Sequence, residues 1–142
     1  MMAGQDGAGS QVQVPGVAER LDDRFGLDAL WLFGSAGRGA STPLSDVDLA
    51  ALFRRSPAAQ ELLEMAAELE GLVGRHVDLI DLDRASPILV MQVLRTGVLL
   101  ADANPERRHR LTAGAVGRYE DVLIVRRPVE RAILERARRG QS

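Results

Sequence analysis

Two short apolar runs, Asp28–Phe33 and Asp46–Phe53, are joined by the stretch Gly-Ser-Ala-Gly-Arg-Gly-Ala-Ser-Thr-Pro-Leu-Ser. Runs this short and this apolar read as strands buried on both faces rather than as helices. Side chains alternate along a strand, so Asp46 and Asp48 share one face while Val47 and Leu49 take the other. Two carboxylates that close repel each other, and a structural role for both on an apolar strand is costly. A divalent cation removes the conflict. Hard oxygen ligands suit Mg²⁺ or Mn²⁺, with substrate phosphate oxygens completing the set. Asp-x-Asp alone also fits an exposed strand start, and the loop before it decides the reading. Gly34 lets the backbone turn sharply, and Ser35 offers a hydroxyl and an amide N–H. A short helix opening at Ala36–Gly39 would aim its N-terminal amides at an anion. Arg38 is placed to pair with a phosphate oxygen. Together these residues are hardware for a nucleoside triphosphate and Mg²⁺.

The rest of the chain alternates helix and strand. Val17, Leu21 and Phe25 recur at helical spacing and predict a helix over Val17–Phe25, closed by Gly26. Ser56-Pro57 supplies an N-cap and a first-turn proline for a helix running to about Val73, with Gly74 past its end. His76–Leu82 reads as a third strand. Ser86-Pro87 repeats the cap signal for a helix through Arg95, and Val98–Ala101 is a fourth short strand. Asn104-Pro105 opens an arginine-rich helical region that Gly114, Gly117 and Pro128 are expected to interrupt. The expected organisation is a disordered leader over residues 1–16, a core over 17–104, and a C-terminal region over 105–142 packing on the same domain. The fold class is α/β (α+β), a small mixed sheet flanked by helices.

Composition excludes several chemistries. The chain has no cysteine, so disulfides, thiolate metal sites and cysteine nucleophiles are ruled out. All 18 basic residues are arginine, which rules out a catalytic lysine. No apolar run approaches the ~18 residues of a membrane span, and the first residues lack the basic and apolar regions of a signal peptide, so the expected compartment is the cytoplasm. The net charge of −2 hides an asymmetry. From Glu106 onward ten arginines face five acids, a balance of +5, and the remainder carries 8 − 15 = −7. Such a tail either contacts an acidic partner, nucleic acid or phosphate, or forms a solvated helix face.

Gly34-Ser35, the intervening loop and Asp46-Val47-Asp48 resemble the signature of the nucleotidyltransferase superfamily with the DNA polymerase β-type palm. The wording Leu-Phe-Gly-Ser-x-x-Arg-Gly-x-x-x-x-x-Ser-Asp-x-Asp-Leu is similar to its short branch, the minimal nucleotidyltransferases. His-Val-Asp-Leu-Ile-Asp-Leu-Asp-Arg-Ala-Ser-Pro, followed by Val-Leu-Arg-Thr-Gly-Val-Leu-Leu, resembles the antitoxins of HEPN–MNT toxin–antitoxin pairs. The resemblance covers about Asp28 to Asn104. Gly37, where these proteins usually carry alanine, departs from the pattern without removing a functional group.

The resemblance implies a nucleotidyltransferase palm fold in which Gly34, Ser35 and Arg38 hold the triphosphate and Asp46 and Asp48 ligate Mg²⁺. It also implies a third carboxylate on the neighbouring strand that ligates metal and helps deprotonate the attacking hydroxyl. Asp78 and Asp81 are the candidates. Asp78 is central in the third strand and is preferred, because Asp81, three residues on, would face the opposite side. His76 shares the face of Asp78 and could assist or be structural. In the antitoxin branch the acceptor hydroxyl belongs to a tyrosine of a partner HEPN ribonuclease toxin, and AMP from ATP is transferred. The expected function is therefore a protein adenylyltransferase antitoxin. The alternatives are an antitoxin acting by occlusion and a stand-alone nucleotidyltransferase on a small molecule or RNA end. The arginine-rich tail and the apolar residues of Leu111–Val125 are either the toxin-contacting surface or a cover for the sheet.

Overall fold

The computed structural model describes residues 14–34 and 46–120. The leader up to residue 13, the loop with Ser35 and Arg38, and the tail from 121 with Pro128 lie outside the described residues.

Seven consecutive buried residues form the centre of the molecule, the strand β1 (Leu27–Phe33). A strand buried on both faces needs a layer on each, and the helices supply them. Helix α1 (Val17–Phe25) precedes β1 and buries Val17, Leu21 and Phe25, the three residues at helical spacing. Strand β2 (Val47–Phe53) returns antiparallel beside β1. Helix α2 (Ala59–Val73) then carries the chain across to β3 (Val77–Asp81), which pairs with β2 in parallel. A parallel pairing requires such a crossover. A 3₁₀ turn (Leu82–Arg84), helix α3 (Pro87–Thr96) and strand β4 (Val98–Asp102) follow, and β4 pairs antiparallel with β1. The sheet order is β3-β2-β1-β4. A last helix, α4, occupies residues 105–120.

Two apolar clusters lie on the two faces. Leu30, Leu32, Leu49, Ala51 and Phe53 pack with α1 and with Met65 and Leu69 of α2. Ala29, Trp31, Phe33, Ala50 and Leu52 pack with Val90 and Val93 of α3 and with Ala115 of α4. Phe25 meets Phe53 edge-on, ring centroids 5.4 Å apart, the geometry the ring quadrupoles favour.

The architecture is the expected mixed sheet flanked by helices, with two local differences. Helix α2 starts at Ala59, later than Ser56-Pro57 suggested. Its N-cap is Ala58, and the Glu61 side chain accepts the Ala58 N–H at 3.0 Å. Ser86 does cap α3, its Oγ accepting the Leu89 N–H at 3.2 Å. Helix α4 is continuous through Gly114 and Gly117, where breaks were expected. Asn104 starts it, its side chain accepting the Arg107 N–H at 3.1 Å. Leu111 and Ala115 then cover the sheet, leaving Val116 exposed.

Candidate active site

The site lies where β1 ends and β2 and β3 begin. Asp48 is paired in register with Phe33 on one side and with Asp78 on the other. Parallel registry therefore sets Asp48 and Asp78 side by side, on the sheet face opposite Val47, Leu49 and Val77, which enter the α1/α2 core. Asp46 stands one residue before the ladder, and the adjoining Val47 N–H donates to the His76 carbonyl at 2.8 Å. One oxygen from each of Asp46 and Asp78 and one ring nitrogen of His76 lie within 4.8 Å of one another.

Gly34 closes the site from beneath. Its φ is +73°, a conformation that L side chains rarely adopt, and a Cβ there would meet Asp48 Oδ2. The position is thus fixed by backbone handedness and by the carboxylate it admits. Ser35 and Arg38 follow outside the described residues, as does the proposed anion site over Ala36–Gly39.

The electrostatics are those of clustered carboxylates with one histidine beside them. Asp48's pKa is raised, first by burial, then by the charge of Asp78 and a hydrogen bond shared with it, and then by Asp46, while His76 acts in the other direction. His76 lies between Glu70 and Asp78, with Nδ1 2.8 Å from Glu70 Oε2 and Nε2 3.3 Å from Asp78 Oδ1. Partial desolvation pulls its pKa down, but Asp46, Glu70 and Asp78 together outweigh this and raise it. Three acids converging at the open end of a sheet fit a divalent cation: the donors are hard oxygens, and the cation would relieve the repulsion that raises Asp48.

Asp81, the other candidate for the third acid, does something else. It is buried and pairs in register with Ala51, away from Asp48. Its Oδ1 accepts the Asp83 N–H at 3.1 Å, starting the 3₁₀ turn. Alternation along β3 thus separates Asp81 from the acid cluster. The cluster's unforeseen member is Glu70, on the last turn of α2. It accepts the Val77 N–H at 3.0 Å and thereby ties α2 to the start of β3. His76 and Asp78, two residues apart at the start of β3, were the only sequence sign of this arrangement.

Beside the acids, a groove of about 680 Å³ runs along β3, an outer strand of the sheet. Leu62, Leu63 and Ala66 of α2 line one side, and His76, Asp78 and Ile80 the other. Leu63 is 68% exposed, the most exposed of the large apolar side chains among the described residues.

Comparison with known proteins gives the geometry its context. A protein adenylyltransferase MntA of Thermococcus cleftensis is 37% identical over 62 residues, which is 44% of this chain and 63% of that protein. The chain spans less than two thirds of the length of the curated relatives it matches. A mutant toxin–antitoxin MntA–HepT crystal structure superposes with a TM-score of 0.79 at 25% identity, over 87% of this chain and 99% of that one. The complex of tri-AMPylated Shewanella oneidensis HEPN toxin with MNT antitoxin shares the fold, with a TM-score of 0.65 at 24% identity over 76% of this chain and 83% of that one. The family described as Polymerase beta, Nucleotidyltransferase matches residues 17–106, and that stretch holds the whole sheet and every acid of the cluster. On this evidence the chain belongs to the polymerase β-type nucleotidyltransferase family.

Proposed function

We propose that this chain is a Mg²⁺-dependent protein adenylyltransferase, an antitoxin that transfers AMP from ATP to a tyrosine of its cognate HEPN ribonuclease toxin and so neutralises it. The observation that carries nucleotidyl transfer is the convergence of Asp46, Asp48 and Asp78 above Gly34. The likeness to proteins named protein adenylyltransferase MntA, and to an MNT antitoxin in complex with a tri-AMPylated HEPN toxin, supports the substrate and the partner. The chain works in the cytoplasm on this reading, where ATP is available. No helix among the described residues is long and apolar enough to cross a membrane. The same reading treats 17–104 as the catalytic core, 105–142 as a region packed on it, and 1–16 as a leader.

Asp46, Asp48 and Asp78 hold the metal, and Gly34, Ser35 and Arg38 hold the triphosphate. A Mg²⁺ ion held by these carboxylates would neutralise charge developing on the α-phosphate and on the departing pyrophosphate. Asp78 accepts the proton of the tyrosine hydroxyl. The tyrosine oxygen bonds to the α-phosphorus as the bond from that phosphorus to the β-phosphate oxygen breaks, and the electron pair leaves with pyrophosphate. The acceptor approaches along the groove beside β3, which ends at Asp78 and His76. Its apolar lining and open strand edge suit an extended polypeptide segment better than a small polar molecule.

Mass spectrometry after mixing the protein with ATP, Mg²⁺ and the adjacently encoded protein tests the reading. The expected result is a gain of AMP on a partner tyrosine, abolished by Asp46→Ala with Asp48→Ala. Neutralisation that persists in this double variant without any mass gain would favour occlusion. The absence of any copurifying partner would favour a stand-alone nucleotidyltransferase.

A further inference from the structure

His76 is built as a ligand rather than as a bystander. Its Nδ1 contacts Glu70 Oε2 at 2.8 Å, and Glu70 is itself fixed because the same oxygen accepts the Val77 N–H at 3.0 Å. With Nδ1–H donated to Glu70, the other nitrogen, Nε2, presents its lone pair toward Asp78 Oδ1, 3.3 Å away. A neutral ring faces that carboxylate with its lone pair, and a metal ion between them takes the place of the proton that the imidazolium form shares with Asp78. Asp46 brings a further oxygen, and the three donor atoms lie within 4.8 Å of one another, close enough for one ion to reach all of them. A carboxylate holding one imidazole nitrogen while the other points into a ligand cluster is the arrangement by which proteins orient metal-binding histidines.

We infer that His76 Nε2 is a metal ligand at this site, joining the carboxylates of Asp46, Asp48 and Asp78 in a mixed nitrogen–oxygen set that favours Mn²⁺ over Mg²⁺, with Glu70 as its positioning residue. The inference rests on the proposed metal-dependent reading of the acid cluster. An all-carboxylate site suits Mg²⁺, which demands oxygen donors and a near-octahedral shell. Adding an imidazole moves the preference along the first-row order toward softer divalent ions, and Mn²⁺ is the first that still accepts the carboxylates and phosphate oxygens readily. The side chain of His76 is 58% exposed, so an ion can reach it from solvent without rearrangement of the core.

The test is Mn²⁺ titration of the full chain without nucleotide. Free Mn²⁺ is read by electron paramagnetic resonance, and the bound ion by electron spin-echo modulation from nearby nitrogen. The expected spectrum shows nitrogen coupling of a directly ligated imidazole. His76→Gln keeps some Mn²⁺ binding but loses that coupling, and its preference for Mn²⁺ over Mg²⁺ in competition falls about tenfold. Glu70→Gln keeps the coupling while Mn²⁺ affinity falls about tenfold, because the ring is no longer held by a charge. The other histidine, His109, lies on α4, and the His76→Gln spectrum controls for it. Bound Mn²⁺ without imidazole coupling in the unaltered protein, or coupling that survives His76→Gln, overturns the inference. Should His76→Gln not fold, the unaltered spectrum and Glu70→Gln still decide. Absence of any Mn²⁺ or Mg²⁺ binding would remove the metal-dependent reading as well. Tyrosine AMPylation in Mg²⁺ combined with an imidazole-free Mn²⁺ spectrum removes only the role of His76.

Discussion

Asp48 sits beside two other carboxylates in a partly buried position, and its pKa is raised by that burial and by Asp78 and Asp46. For an acid whose folded pKa lies above its unfolded value near ~3.9, the native state binds more protons across the interval between the two. Unfolding free energy therefore falls as pH rises through that window, and the ionised carboxylate opposes folding above it. Raised His76 works in the same direction: its contribution is fully present below ~6.5 and is lost as pH climbs through the folded value. Metal-free protein should thus be less stable at pH 7.5 than at pH 5 as far as these groups are concerned. Asp48→Asn, nearly isosteric, should raise Tm in EDTA at pH 7.5 by roughly 2–4 °C and abolish the further rise that Mg²⁺ gives the unaltered protein. A variant that melts lower than the parent under those conditions would show that Asp48 is structural. Gly34→Ala is the complementary change: the left-handed φ costs about 1–2 kcal/mol and the new methyl meets Asp48 Oδ2, so stability in urea and nucleotidyl transfer should both fall. At this scale the sequence was informative because period two put Asp46 and Asp48 on one face without any knowledge of neighbours. The preference for Asp78 over Asp81 followed from the same alternation. That Asp48 and Asp78 stand in register was not legible, since β2–β3 pairing is decided by a crossover whose packing is non-local.

Helix α4 is held to the sheet by one arginine as well as by its apolar stripe. Arg107 Nη1 donates to the buried Asp28 at 2.9 Å and to the Phe53 carbonyl at 2.6 Å, and Nη2 pairs with Asp83. Asp28 is 5% exposed, and its remaining cation is Arg54, whose Nε lies 3.2 Å away. Removing one partner of a buried pair strands a charge and typically costs 3–5 kcal/mol. With Arg54 still present, Arg107→Ala should lose about 2–3 kcal/mol in urea unfolding, and adding Asp28→Asn should recover part of it. A loss below ~0.5 kcal/mol would place the pair among ordinary surface bridges. The charge excess at the C-terminal end thus has a local use that counting could not reveal. Arg107 neutralises an acid 79 positions away, Arg108 pairs with Asp102, and Arg110 pairs with Glu106. Gly114 and Gly117 misled for a related reason. Each disfavours a helix by about 1 kcal/mol relative to alanine, and burial of Leu111 and Ala115 with the Arg107 clamp outweighs that. The cap of α2 differed because Glu61 satisfies the Ala58 N–H, so the first turn forms without Ser56.

At the scale of the molecule, the four-stranded sheet leaves β3 as an outer strand beside the acids, and α2 walls the groove along it. Asp78 is both a member of the acid cluster and part of the groove wall that Leu62, Leu63 and Ala66 face; under the proposed function, an acceptor lying there would present its hydroxyl to the proposed base while its neighbouring residues rest on those side chains. On the proposed reading, small apolar contacts of this kind set KM for the protein acceptor. Leu63→Glu tests this division of labour. Leu63 contributes little to the core at 68% exposure, so Tm should hold within the shift expected of about 0.5 kcal/mol, and binding of Mn²⁺ and ATP should be unchanged. A carboxylate in the apolar groove should nevertheless lower kcat/KM for AMPylation of the partner about tenfold or more, a loss of ~1.4 kcal/mol in transition-state binding, with most of the change in KM. Steady-state AMPylation with labelled ATP over a range of partner concentrations measures both terms. Unchanged kinetics would mean that the acceptor reaches Asp78 from another direction, whereas a fall in kcat at constant KM would assign Leu63 to positioning α2 rather than to docking.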